Sequence, residues 1–141
     1  MTADMTDDDI RRILTSVRTI AVVGWSPKPE RASHRVAAFL KRKGFRVIPV
    51  NPGQAGQEAL GEVVRASLAE IGEGVDMVDI FRRSEEAGAV VDEALAVLPG
   101  VKAVWMQLGV VDEAAAARAR ARGVEVVMDR CPAIEMPRLG M

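Results

Sequence analysis

The chain has 141 residues, of which 49% are hydrophobic, and its formal net charge is −1. That length suits one domain with a buried core, and the apolar content argues against disorder. A nearly neutral chain has no global field to attract nucleic acid or an anionic membrane, so we expect neither as a partner. A single cysteine, Cys131, excludes an internal disulfide, and a single histidine, His34, argues against a histidine-based metal site.

The sequence shows neither the pattern of a membrane-spanning helix nor that of a secretory signal peptide. No apolar run reaches the roughly 18 residues that a membrane-spanning helix needs. The acidic opening, "MTADMTDDDI", lacks the basic-then-apolar order of a secretory signal peptide. We therefore expect a cytoplasmic protein in which residues 1–141 form a single domain.

Apolar runs alternate with helix-like patterns along the chain. Thr6 is placed to cap a first helix, whose apolar residues from Ile10 to Val17 recur at helical spacing. The predicted strands are 19–24, 45–51, 75–81, 101–107 and 124–129. The predicted helices are about 33–43 after the first strand, 84–98 after the third and 112–122 after the fourth. A glycine-rich, irregular segment over 52–75 follows the second strand and holds one helical turn at 67–71.

This alternation predicts an α/β fold. Five short apolar strands separated by helices indicate a single Rossmann-like, doubly wound parallel sheet with helices on both faces. The right-handed crossover rule favours the strand order 3-2-1-4-5. Pro49 is unusual for a central strand, so the second strand is expected to be irregular.

The topology also predicts where a ligand binds. Open parallel sheets bind ligands beyond the carboxyl ends of their strands, where the loops 24–33, 51–56, 81–84 and 107–110 would meet. The first loop precedes a helix whose free N–H groups favour anions. Ser26 and Ser33 can donate further hydrogen bonds there. Five positively charged residues are predicted at the same edge, namely Lys28, Arg31, Arg35, Arg82 and Arg83. Each of them taken alone could be a solvated surface charge.

Two features argue against a nicotinamide cofactor at this edge. The G-x-G-x-x-G spacing fails, because Ser26 and Pro29 stand where the later glycines would be. The acidic residue expected after the second strand, to hold a ribose hydroxyl, is replaced by Asn51 and Pro52.

Five blocks of the sequence resemble a known family. They are "AVVGWSPKPERASHRVA", "GFRVIPVNP", "VDMVDIFRRSE", "VWMQLGV" and "VMDRCP". In this order they resemble the small stand-alone CoA-binding proteins of bacteria, which are similar to the CoA-binding domain of the succinyl-CoA synthetase α subunit. The resemblance implies coenzyme A as cofactor, CoA or an acyl-CoA as the bound partner, and a possible unknown protein partner. CoA carries roughly four negative charges, which suits the local cations.

The resemblance also assigns residues to parts of the ligand. Gly24, Ser26, Pro27 and Lys28 would hold phosphates, and Asn51 and Pro52 would line the adenosine pocket. A third loop would contact the nucleotide through Phe81, Arg82 and Arg83. Arg31, Ser33, His34 and Arg35 could approach either phosphate group. Trp25 lies in the first block, and Gln107 at its strand end could reach the ligand.

Catalysis is less well supported by the residues. The synthetases use a phosphorylated histidine in a second domain and a partner subunit, and this sequence has no counterpart of either. His34 fits a phosphate contact or helix start better than a general base, and Cys131 fits a buried core residue better than a thiol facing pantetheine. Asp76 and Asp79 fit structural contacts better than an acid–base pair. We expect no catalytic residues.

Three functions stay open at this point. The first is a CoA-binding module without chemistry of its own. The second is a small acyl-CoA enzyme, or a subunit or remnant of an acyl-CoA ligase or transferase completed by a partner chain. The third is an NAD-binding or other nucleotide-binding protein. The missing acid after the second strand counts against the third, and the missing nucleophile–base pair counts against the second.

Overall fold

A computed structural model describes residues 5–72 and 74–141. Residues 1–4 of the acidic opening, and residue 73 of the irregular segment, lie outside the described residues. The elements in chain order are α1 (Asp7–Ser16), β1 (Thr19–Val23), α2 (Ala32–Arg42), β2 (Arg46–Val50), β3 (Glu58–Ala59), β4 (Glu62–Val63), β5 (Met77–Ile80), α3 (Ser84–Val97), β6 (Ala103–Met106), α4 (Glu113–Ala121), β7 (Glu125–Val127) and α5 (Pro132–Arg138). Short 3-10 helices span Pro52–Gln54 and Leu68–Glu70.

A parallel sheet forms the centre of the molecule. Its order is β2-β1-β5-β6-β7, and every neighbouring pair is parallel. One face packs against α3 and α4, and the other packs against α1, α2 and α5. The strand residues are almost all buried, as expected for a parallel sheet covered on both sides. The predicted doubly wound α/β class is confirmed.

The winding follows the predicted 3-2-1-4-5 pattern with one reassignment. The place beyond β2 is taken by an isolated parallel bridge between Val50 and Arg65. The third predicted strand, 75–81, corresponds to β5. It pairs with β1, on the side of β1 opposite to β2. The segment 52–75 accounts for this difference in strand order. It runs beside the outer edge of β2 at Arg65 before the chain crosses to β5.

Pro49 is tolerated because of this edge position. On the inner side β2 pairs with β1, and Pro49 stands opposite Val22. On the outer side the carbonyl of Pro49 accepts from the Arg65 N–H at 3.0 Å. A proline can serve as an acceptor on an edge strand, where its missing N–H breaks no central ladder.

Side chains cap the starts of two helices, and the predicted cap at Thr6 is one of them. Thr6 forms a capping box with Asp9 at the start of α1, and the Asp112 side chain caps α4 by accepting from the Ala115 N–H. At the start of α3, the N-cap position is occupied by Arg83, and Ser84 is the first helical residue. The Ser84 hydroxyl donates to the Gly109 carbonyl and accepts from the Val111 N–H, so it ties α3 to the loop after β6.

Two elements were missed by the sequence patterns. The β3–β4 hairpin contributes only four strand residues. Helix α5 is short and contains Pro137. It is held by ion pairs of Glu135 with Arg130 and Arg138, and of Arg138 with Asp7 on α1. Within residues 5–72 and 74–141, no helix is both long and apolar enough to cross a membrane.

Candidate functional site

Two loops at the carboxyl edge of the sheet are tied together. The N–H groups of Gly24 and Trp25 donate to the Val50 carbonyl at 3.0 and 3.3 Å. In return, Asn51 Nδ2 donates to the Trp25 carbonyl at 2.6 Å. The end of β1 and the end of β2 therefore form one rigid unit at the place where the topology predicts a ligand.

Gly24 also packs against a third loop. Its φ is +88°, and a Cβ built at this position would stand 2.6 Å from the Phe81 carbonyl oxygen. Both facts require glycine. The family resemblance implies a different role for Gly24, which is to hold a phosphate. The structure shows that the glycine first permits contact between two loops of the protein itself.

Serine side chains shape the loop that follows Gly24. The Ser26 N–H donates to Ser33 Oγ at 3.0 Å, and the Lys28 N–H donates to Ser26 Oγ at 3.2 Å. His34 Nδ1 lies 3.0 Å from the Ser26 carbonyl oxygen. These bonds fold the loop back onto the first turn of α2, so that Lys28 and Arg31 stand beside the start of that helix.

A cavity of about 430 Å³ opens at this helix start, and we call it the anion pocket. Among the described residues, no side chain caps α2, whereas Thr6 and Asp112 cap α1 and α4. The His34 N–H donates to the Arg31 carbonyl at 3.1 Å. The N–H groups before it in the first turn of α2 meet no side-chain cap and favour an anion. The lining consists of Gly24, Ser26, Pro27, Lys28, Arg31, Ala32, Ser33, Asn51, Gln54 and Phe81.

A second cavity, of about 440 Å³, also reaches Gly24, and we call it the α3 cleft. It lies between the end of β2 and the start of α3. Glutamates rather than free cations mark its α3 wall, so it suits a neutral group better than a phosphate. Its lining is Val23, Gly24, Val50, Pro52, Ala66, Ser67, Arg82, Glu85, Glu86, Ala89, Val90 and Glu93.

A third cavity, of about 430 Å³, separates α2 from α5, and we call it the α2–α5 groove. It shares Ala32 and Phe81 with the anion pocket. Its walls are mainly hydrocarbon. The lining is Ala32, Arg35, Val36, Phe39, Arg42, Phe81, Gln107, Leu108, Cys131, Ala133 and Ile134.

The structure distributes the predicted site residues unevenly over these cavities. Eight line the anion pocket, namely Gly24, Ser26, Pro27, Lys28, Arg31, Ser33, Asn51 and Phe81. Pro52 and Arg82 line the α3 cleft, and Arg35 and Gln107 line the α2–α5 groove. Trp25, His34 and Arg83 are not among the described residues that line any of the three.

Those three residues have partners of another kind. Trp25 is buried, and its ring stacks on that of His34 with centroids 5.8 Å apart. The exposed Arg83 is paired with Glu86 at 2.6 Å, and Arg82 is paired with the same carboxylate at 2.6 Å. Much of the charge expected from the third loop is thus balanced within the protein. Lys28 and Arg31 remain as the cations beside the anion pocket.

A buried carboxyl lies behind the α2–α5 groove. Asp79 is fully buried on the central strand β5, and its Oδ1 accepts from Gln107 Nε2 at 2.8 Å. Burial raises the pKa of Asp79 to about 7, although the bond from Gln107 opposes this. Burial also raises the pKa of the Cys131 thiol, and the Asp79 charge adds to the effect. Asp76 instead accepts from the N–H groups of Arg18 and Thr19, as a structural contact.

Comparison with known proteins decides the family. The sequence model of the CoA binding domain matches residues 18–137. The chain belongs to the CoA-binding domain family. The protein YneT of Bacillus subtilis is 41% identical over 123 residues, which cover 87% of this chain and 88% of YneT. The expected resemblance to small stand-alone CoA-binding proteins is confirmed.

Solved structures agree with this family assignment. A Thermus thermophilus protein, cell-free ID.343, is 37% identical with a TM-score of 0.88, over 96% of this chain and 99% of its own. A hypothetical protein from Pyrococcus horikoshii OT3 is 35% identical with a TM-score of 0.89, over 100% and 99% of the two chains. A dinucleotide-forming acetyl-coenzyme A synthetase from Ca. Korarchaeum cryptofilum is 24% identical with a TM-score of 0.68, over 86% of this chain and 27% of its own, and shares the fold.

Some lining residues of this CoA-binding domain were missed by the sequence. Gln54 and Ser67 follow strand ends inside the segment 52–75, which carries little periodicity. Ile134 and Ala133 lie on α5, which was not predicted. The apolar run after "DRCP" is the signal that could have found this helix, since proline favours the first turn of a helix.

Proposed function

We propose that this protein is a single CoA-binding domain that holds CoA or an acyl-CoA across the carboxyl edge of its sheet. One observation carries the proposal: the uncapped start of α2 opens, together with Lys28 and Arg31, into the anion pocket. Backbone N–H groups at a helix start and two nearby cations suit a ligand with several phosphate charges.

The arrangement of the three cavities supports the same ligand. CoA consists of an adenosine, a phosphate-rich centre and a pantetheine arm. The α3 cleft and the anion pocket meet at Gly24, and the anion pocket and the α2–α5 groove meet at Ala32 and Phe81. We assign adenosine to the α3 cleft, phosphates to the anion pocket and pantetheine to the groove.

The state of Asn51 argues against NAD. Its Nδ2 donates to the Trp25 carbonyl, and its Oδ1 accepts from the Gly53 N–H at 2.8 Å. Both ends of the amide are engaged within the protein, so Asn51 does not replace the acid that holds the ribose in dinucleotide-binding domains.

The chemistry of the candidate nucleophile favours a binding module over an enzyme. Cys131 is buried with a raised thiol pKa, which opposes the thiolate form that attacks. His34 is engaged by the Ser26 carbonyl and by the Trp25 ring.

Native mass spectrometry can test the proposal. The purified protein is incubated with equimolar CoA, dephospho-CoA and NAD, and the complexes are weighed. We expect the CoA complex to dominate, with dephospho-CoA weaker because it lacks one phosphate in the anion pocket. A dominant NAD complex, or no complex with CoA, would refute the proposal.

A further inference from the structure

The α2–α5 groove changes in chemistry along its length. It starts at Ala32, where it joins the anion pocket, and follows one face of α2 through Val36 and Phe39 to Arg42. Ten residues of helix rise make this path roughly 15 Å long. A chain that leaves the anion pocket over Ala32 therefore enters a groove that runs along α2, away from the carboxyl edge of the sheet.

The polar side chains among the described lining residues are those of Gln107 and of the exposed Arg35 and Arg42. Gln107 is held by its bond to Asp79. The side chains of Val36, Phe39, Ala133 and Ile134 present hydrocarbon. Two rim residues, Leu108 and Ile134, are 58% and 53% exposed, the largest values among the exposed large hydrophobic residues of the described chain. An apolar occupant would cover them.

Among the described residues, the charged side chains that line the groove are two exposed arginines, so its interior offers a carboxylate no buried cation. Asp79 lies behind Gln107, and within the described part of the chain its Oδ2 has no hydrogen-bond partner. Arg35 is exposed and bonds the Glu30 carbonyl, and Arg42 is exposed at the far end. A carboxylate near Gln107 would lose its hydration without a buried cation to offset the cost.

Resting on the proposed function, we propose that the α2–α5 groove receives an uncharged, apolar acyl group at the end of the pantetheine arm. The preferred ligand is then an apolar acyl thioester of CoA rather than free CoA or succinyl-CoA. Gln107 can bond an amide of the arm, and the hydrocarbon walls pack against the acyl chain. The buried Cys131 thiol leaves the thioester intact.

Calorimetry on the full chain tests this with three ligands: CoA, hexanoyl-CoA and succinyl-CoA. Each buried CH₂ adds to affinity, so hexanoyl-CoA should bind about tenfold tighter than CoA or better. Succinyl-CoA should bind no tighter than CoA. Equal affinity for hexanoyl-CoA and CoA, or a preference for succinyl-CoA, would overturn the inference.

A substitution at the exposed rim of the groove tests the same inference without removing a buried side chain. Ile134→Ser changes an exposed side chain, and it should reduce the advantage of hexanoyl-CoA over CoA to about threefold or less. Val97→Ser, at a 38% exposed position on α3, is the matched control and should change neither affinity. An unchanged advantage in Ile134→Ser would overturn the inference. If CoA itself fails to bind, the proposed function fails as well; if CoA binds and the acyl chain adds nothing, only this inference fails.

Discussion

The α-carbon of Gly24 faces the backbone carbonyl of Phe81 so closely that a Cβ would stand 2.6 Å from the oxygen. Phe81 N–H in turn donates to the Val23 carbonyl at 2.8 Å. The turn after β1 and the turn after β5 are thus locked together where two of the ligand cavities meet. The geometry of the site depends on this contact before any ligand arrives.

Gly24→Ala should therefore destabilise the protein itself. A positive φ and a steric clash with backbone act together, and we expect a loss of roughly 2 kcal/mol or more. Chemical denaturation measures it. Gly100→Ala is the control, because a Cβ there meets no atom within 4 Å in the described structure, and it should change stability by less than about 0.5 kcal/mol. Equal stability of the two variants would contradict the contact.

Lys28→Ala and Arg31→Ala should each weaken CoA binding without unfolding the protein. Both residues are exposed and line the anion pocket. Loss of a charge-assisted hydrogen bond corresponds to about tenfold in affinity, and the salt dependence of binding should flatten because one screened interaction is gone. Titrations at several salt concentrations measure both effects. Lys41→Ala, on the last turn of α2, should leave them unchanged; an equal loss in Lys41→Ala would refute the assignment.

Much of the fold could be predicted from periodicity. The strands are short apolar runs and the helices carry repeated apolar faces, so each of the five predicted strands overlaps a strand of the sheet. The position of β5 beside β1 could not be predicted. It depends on the extended stretch at Arg65, which pairs with β2 through a single bridge and leaves no alternating pattern.

The site could be predicted in part, because strand ends and helix starts identify the loops. Ser26, Lys28 and Ser33 were predicted in this way, and all three line the anion pocket. Side-chain engagement could not be predicted from one sequence. The pairing of Arg82 and Arg83 with Glu86 depends on helical spacing in α3, and the stacking of Trp25 on His34 depends on how α2 approaches the sheet.

Asp79 makes stability depend on pH. Its carboxyl keeps a proton in the folded state up to about pH 7, whereas its ordinary pKa is 3.8. The folded state therefore binds more protons between these values, and Asp79 lowers stability as pH rises from 4 to 7. Asp79→Asn removes this ionisation and keeps an acceptor for Gln107. Its stability relative to wild type should rise by roughly 2–4 kcal/mol between pH 4 and pH 8.

Denaturation at the two pH values measures this difference. A constant difference between Asp79→Asn and wild type from pH 4 to pH 8 would mean that Asp79 titrates normally in the folded protein.

Cys131 should not accept an acyl group. The thiol is 6% exposed and its pKa is raised mainly by burial, so little thiolate forms near neutral pH. Intact-protein mass measurement after incubation with acetyl-CoA and succinyl-CoA should show no covalent adduct in wild type or in Cys131→Ser. An acyl adduct in wild type but not in Cys131→Ser would contradict the binding-module proposal and indicate an enzyme.

The central claim, that this CoA-binding domain binds CoA itself, is tested most directly by calorimetric titration of the purified protein with CoA and, separately, with NAD. The account predicts saturable binding of CoA with a micromolar or lower Kd and no measurable binding of NAD under the same conditions. Saturable binding of NAD with no heat from CoA would contradict it.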